Sequence, residues 1–225
     1  MKIGILQTGI AADALITKHG DYPDNFKTFL QNRGFEFEVY EVINNIFPDD
    51  INDCDGWLVT GSRHGAYEKH DWIPPLEKFI CDLYEADIPL IGVCFGHQII
   101  AQALGGIVEK FKGGWTVGRQ VYESDNGNKI KLNAYHQDQV ISAPKCATKI
   151  SGNKNCKNAI ITYGQKAFTM QPHPEFSNTY IRELIDARGI GLIDDKILEN
   201  ARKNLMEDLD AKEIANQFEA FYKRA

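Results

Sequence analysis

This sequence predicts an α/β fold with a central, mostly parallel sheet covered by helices on both faces. Three observations carry that expectation. Short, continuously apolar runs at residues 2–7, 56–60 and 88–93 read as strands buried on both sides. Stretches with apolar residues at helical spacing alternate with them. Glycine-rich turns separate the two kinds of segment.

The elements follow in order. Residues 2–7 form a strand that ends at Thr8-Gly9. Residues 22–32 read as a helix that starts near Pro23, is closed by Gly34, and carries Phe26, Phe29 and Leu30 on one face. Residues 35–42 alternate as a strand, and 56–60 form the next buried strand before the turn-rich Gly61-Ser62-Arg63-His64-Gly65. Leu76, Phe79, Ile80 and Leu83 place a helix over 73–86, with Pro74 and Pro75 tolerated in its first turn. The strand at 88–93 leads into a helix at 97–104 that Gly105-Gly106 stops. From 107 to 170 strands and turns dominate, with a hairpin expected at Asp125-Asn126-Gly127-Asn128. Helices return at 178–187, 194–209 and 210–222, the last opened by Asp210 and Glu213 in capping-box spacing. Its Ile214, Phe218, Phe221 and Tyr222 stripe reads as core packing, with a homodimer contact as the other reading.

Composition excludes several classes. Apolar residues make up 43% and charged residues 25%, and Lys and Arg total 25 against 31 Asp and Glu, a formal net charge of −6. Nucleic-acid binding needs clustered Lys and Arg, and none is seen. No apolar run approaches the roughly 20 residues of a membrane span, and no signal-peptide pattern opens the chain, so a cytoplasmic protein is expected. The five cysteines have irregular spacing and no C-x-x-C pair, which reads as free thiols. His19, His64 and His70 lack a ligand-like spacing, so no metal is assigned. Gly4 and Gly9 lack the Lys and Ser/Thr of a phosphate loop, and no nucleotide or other cofactor is expected. Lys110-Phe111-Lys112-Gly113-Gly114 reads as a solvated turn.

Gly92-Val93-Cys94-Phe95-Gly96 follows a buried strand and precedes a helix. This is a strand-to-helix elbow that exposes a nucleophile on a sharp turn, with glycines where side chains would collide with backbone. The helix N-terminus favours a thiolate there, and the Phe95 N–H is placed to donate to an oxyanion. A thiolate needs a base, and the base needs an orienting group. Met170-Gln171-Pro172-His173-Pro174-Glu175-Phe176 supplies His173 as base and Glu175 as its partner, with the two prolines restricting the backbone. His97, beside the elbow, is expected in a supporting or surface position.

G-V-C-F-G-H-Q at 92–98 and Q-P-H-P-E at 171–175 resemble the class I glutamine amidotransferase domain over about residues 1–187. The resemblance implies a flavodoxin-like three-layer α/β/α sandwich at 1–189, leaving 190–225 as a helical extension. It implies a Cys94, His173 and Glu175 triad acting on a γ-glutamyl amide through a thioester, Gln98 as a substrate contact, and the Gly61 N–H as second oxyanion donor. Thr60-Gly61-Ser62-Arg63-His64 departs from the two glycines and proline of many members and looks more like stand-alone members related to γ-glutamyl peptidases. Arg63 and His64 are then expected to bond within the domain or to the substrate. Tyr135-His136-Gln137-Asp138 is similar to a segment of GMP-synthase-type domains, where His136 and Asp138 either bind the substrate's α-amino or α-carboxylate group or form a structural turn. The expected activity is hydrolysis of glutamine or another γ-glutamyl amide. Three alternatives stay open: ammonia supply to a separate synthase partner, γ-glutamyl transfer to an amine, and, least favoured, a non-enzymatic binding module.

Overall fold

The computed structural model describes residues 1–123 and 127–224. In chain order the first half runs β1 (Lys2–Leu6), α1 (Asp13–His19), α2 (Tyr22–Phe29), β2 (Glu36–Tyr40), β3 (Gly56–Val59), α3 (Ile73–Glu85), β4 (Leu90–Val93) and α4 (Phe95–Ala103). The second half runs β5 (Ile107–Lys110), β6 (Thr116–Glu123), β7 (Lys129–His136), β8 (Asp138–Ser142), β9 (Lys149–Ser151), β10 (Ile160–Tyr163), β11 (Ala167–Met170), α5 (Asn178–Leu184), α6 (Asp195–Lys203) and α7 (Ala211–Tyr222).

Seven strands form one sheet in the order β2-β1-β3-β4-β11-β10-β9. The pairs from β2 through β11 are parallel, and β10 and β9 close the edge antiparallel. Successive strand residues point to opposite faces. Trp57 and Val59 therefore pack with Leu76, Ile80 and Leu83 of α3 and Ile99 and Ile100 of α4. Leu58, with Ile3 and Ile5, packs on the other face against Phe26, Ile214 and Phe218. Both faces are covered, which is why these strands have no polar alternation. A third cluster joins Leu15, Tyr22, Tyr180, Ile181 and Leu198 where α1, α5 and α6 meet.

Helix ends depart from the sequence reading in identifiable ways. The helix expected over 22–32 stops at Phe29, because Asn32 takes a left-handed conformation with φ 62°. Its start is held by a reciprocal pair, Asp21 and Asp24. The helix expected over 178–187 ends at Leu184 and continues as a π-turn over Ile185–Gly189. The one expected over 194–209 ends at Lys203. The Asp210–Glu213 capping box does not form. Asp210 Oδ2 instead accepts from the Lys131 N–H at 2.8 Å, and its own N–H donates back to the Lys131 carbonyl, so it ties α7 to β7. β6 and β7 pair antiparallel as a hairpin requires, while Asp125 and Asn126 of the expected turn lie outside the described residues.

The tail stripe is core. Ile214, Phe218 and Tyr222 are fully buried, and the Tyr222 hydroxyl donates to the Trp57 carbonyl at 2.8 Å. Phe218 meets Phe29 and Phe168 edge-on at 5.7 and 5.5 Å. Phe218→Ala is expected to cost about 3–5 kcal/mol in urea unfolding. A loss under about 1 kcal/mol would show that α7 does not share the main core.

Candidate active site

Register brings the chemistry together. Val93 of β4 pairs with Met170 of β11, and Gly92 pairs with Val59 of β3, so the carboxyl ends of three adjacent strands lie side by side. Loops leaving that edge share one crevice, where open α/β sheets place their sites. They carry Gly61, Cys94 and His173.

Cys94 sits at the N-terminus of α4 with φ 54° and ψ −105°, a conformation that L-residues rarely adopt. Two contacts hold it there: the Cys94 N–H donates to the Met170 carbonyl at 2.8 Å, and the Gly96 N–H donates to the Thr60 carbonyl at 3.1 Å. The flanking glycines are sterically required. A Cβ on Gly92 would lie 2.5 Å from the Gly96 carbonyl oxygen, and one on Gly96 would lie 2.2 Å from that of Val59. All five cysteines are free.

His173 is buried, and its Nδ1 meets Glu175 Oε1 at 2.7 Å. Phe176 stacks on the imidazole at 4.1 Å and 7°, and Tyr180 stacks on Phe176. Asn133 on β7 holds the same segment: its carbonyl accepts the His173 N–H at 2.8 Å, and its side-chain amide donates to the Phe176 carbonyl at 3.0 Å. Burial pulls the His173 pKa down, but the charges of Glu175 and Cys94 and hydrogen bonds to both outweigh it and raise the pKa to about 10. Gly61 lies beside the pair, since a Cβ built on it would be 3.2 Å from His173 Cε1 and 3.7 Å from Cys94 Cβ.

These groups line a cavity of about 280 Å³ that also contains Arg63, Gln98, His136 and Asp138. The N–H groups of Gln98 are both taken, by the Asp138 carbonyl at 2.9 Å and by Gln171 Oε1 at 3.0 Å. Gln171 in turn donates to Cys94 Sγ at 3.6 Å. His136 Nδ1 lies 3.2 Å from the Asp138 carbonyl, while its buried Nε2 has no partner among the described residues. Burial, reinforced by the nearby His173, pushes the His136 pKa down to about 3, so the ring is neutral. Asp138 accepts from the Tyr67 hydroxyl at 3.1 Å, and burial raises its carboxyl above the usual range. A larger groove of about 770 Å³ lies elsewhere, between α7 and the β9–β10 edge, and no Cys or His lines it.

The structure revises the weaker expectations. His97 is fully buried, with Nδ1 2.8 Å from the Thr169 hydroxyl, and burial pushes its pKa down to about 3; it is no surface residue. Lys110 lines the cavity rather than standing only in a solvated turn. His64 bonds within its own loop, to Glu68, and so does His70, whereas His19 pairs with Glu183. Sequence spacing hid that cluster because the intervening residues form turns. Arg188, Tyr22 and Tyr135 also line the cavity and carried no signal, because they come from the π-turn, α2 and β7. Arg188 lies against the Tyr22 hydroxyl, and the buried Tyr135 hydroxyl has no partner among the described residues. Gln171 could have been singled out, since it stands inside the motif that contains His173.

Sheet, elbow and cavity together define an α/β enzyme of the cysteine-dependent hydrolytic class. Residues 19–187 match the family model for glutamine amidotransferase class-I, and the chain belongs to that family. It is 30% identical over 224 residues to a glutamine amidotransferase-like protein of Schizosaccharomyces pombe, covering 89% of this chain and 90% of that one. It is 29% identical over 185 residues to gamma-glutamyl peptidase 3 of Arabidopsis thaliana, covering 75% and 74%. The fold matches the crystal structure of a glutamine amidotransferase from Methylobacillus flagellatus with TM-score 0.78 and 22% identity, over 99% of this chain and 93% of that one. At the level of the family the activity is hydrolysis of glutamine or a γ-glutamyl amide. Among the described residues no helix is long and apolar enough to cross a membrane.

Proposed function

We propose that this chain hydrolyses γ-glutamyl amides or peptides on its own, with Cys94 as nucleophile. The observation that carries the reading is Cys94 on its strained elbow in one cavity with a His173 imidazole braced by Glu175. The sulfur attacks the γ-carbonyl carbon, and the N–H groups of Gly61 and Phe95 stabilise the oxyanion. Protonated His173 gives its proton to the leaving amine, which departs and leaves a γ-glutamyl thioester. His173 then takes a proton from water as the water oxygen attacks the thioester carbonyl; the C–S bond breaks, glutamate leaves, and the Cys94 thiolate beside protonated His173 is restored. Glu175 holds the imidazole and favours its cation.

The cavity's charges support an amino-acid substrate. Arg63, Lys110 and Arg188 line it together with Glu68 and Asp138, so both a carboxylate and an ammonium group find a partner. Gln98, with its N–H groups engaged, acts by presenting Gln171 and by its carbonyl oxygen. The likeness to a plant γ-glutamyl peptidase over three quarters of each chain favours a self-sufficient hydrolase. The purified chain is expected to release amine from γ-glutamyl dipeptides or alkylamides without any added protein. Silence on glutamine, dipeptides and alkylamides alike, relieved only by a synthase, would establish the ammonia-supplying subunit instead. Product appearing only when an amine acceptor is added would establish transfer.

A further inference from the structure

His64, Glu68 and His70 each present a ligand atom, and the three atoms lie within 4.8 Å of one another. Glu68 Oε2 is 3.3 Å from His64 Nδ1 and 2.8 Å from His70 Nε2. Ligands around a tetrahedral ion with bonds of about 2.0–2.1 Å stand about 3.3 Å apart, so the spacing already suits one ion. The rings are held in place: the plane of His70 stacks on Trp72 at 11°, and His64 meets His70 edge-on at 4.3 Å. The His64 N–H donates to Ser62 Oγ and the Glu68 N–H to the Gly65 carbonyl, which orders the connecting loop.

We infer that His64, Glu68 and His70 form a site for a divalent transition metal of the zinc class, with a fourth position open, at the mouth of the Cys94 cavity. Two imidazoles and a carboxylate are a donor set that zinc accepts, and three protein ligands leave one place for water or a substrate atom. His64 and Glu68 line the same cavity as Cys94 and His173, and His70 is not part of that lining. An ion there narrows the entrance and adds positive charge beside the path of the substrate. Zinc is therefore a reversible inhibitor of the hydrolase; that consequence rests on the proposed γ-glutamyl activity, while the binding site itself does not.

Calorimetric titration of zinc chloride into full-length Cys94→Ala protein removes the competing thiol of the same cavity, and variants of the three ligands separate the site from the four remaining free cysteines. The expected result is one ion bound with micromolar affinity, weakened at least about tenfold by His70→Asn and by Glu68→Gln, each checked for unchanged circular dichroism. Cobalt(II) in the same protein is expected to show four-coordinate visible absorption with no sulfur-to-metal charge-transfer band. Unchanged affinity in both variants, no binding at micromolar zinc, or a charge-transfer band would overturn the site. With Cys94 present, zinc is expected to inhibit amine release, a chelator to restore it, and His70→Asn to abolish the inhibition while keeping basal activity. Inhibition that persists in His70→Asn would place the inhibitory ion on Cys94 and overturn the regulatory reading. A protein with no amine release at all would overturn the hydrolase reading and leave the calorimetric result standing.

Discussion

Cys94→Ala is expected to abolish amine release from every γ-glutamyl substrate while the chain keeps its native circular dichroism. The sulfur is the one nucleophile on the elbow, and neighbouring groups are arranged around it: Gln171 donates to Sγ at 3.6 Å, and Gly61 and His173 stand beside it. Removing the nucleophile of a unit of this kind costs on the order of 10⁶-fold in kcat, because base and oxyanion donors then have nothing to act on. The fold should survive, since alanine is smaller than cysteine and the backbone strain at φ 54° is borne by the same contacts in both proteins. Intact-mass spectrometry supplies a second readout: a γ-glutamyl adduct trapped at acid pH on unmodified protein should be missing from the variant. Activity above about one hundredth of normal would remove Cys94 from the mechanism.

His173→Ala should lower kcat/KM by about 10²–10⁴-fold, the usual worth of a proton-transfer group, and Glu175→Gln should cost less. The two variants also separate by pH. In the folded chain His173 has its pKa raised to about 10: burial opposes the charge, while Glu175 and Cys94 outweigh it. In the unfolded chain the ring titrates near about 6.5. Its charge interactions thus stabilise the fold fully below about 6.5, and that stabilisation is lost as pH rises through about 10. Glu175→Gln removes a charge that holds the proton, so the alkaline limb of kcat/KM should move to lower pH, and thermal stability should depend less on pH between those values. An unmoved alkaline limb would mean that Glu175 does not act on His173.

Both key motifs were legible because each is local. The elbow reveals itself through glycines whose absent side chains clear neighbouring backbone, and His173 and Glu175 are two residues apart and bond at 2.7 Å. The buried strands showed as apolar runs because helices cover both faces of the sheet. Helix ends were less legible, since they turn on single residues such as Asn32 and on tertiary ties such as Asp210 to Lys131. Asn133 was invisible as a positioning residue, because a buried Asn on a strand carries no periodic signal and its bonds reach the His173 segment through space.

By itself the sequence determined an α/β chain with a parallel sheet, a cysteine at a strand-to-helix elbow and a histidine–glutamate pair further along. Those features are encoded by short-range rules: apolar period, glycine sterics, and a hydrogen bond between near neighbours. Only the tertiary structure decided that β11 lies against β4 and brings His173 to Cys94. It alone drew Arg188, Tyr22 and Tyr135 around the cavity and folded His64, Glu68 and His70 onto one another. Strand order and loop closure are set by long-range burial of faces, and a linear pattern states which face is apolar but not which neighbour will cover it.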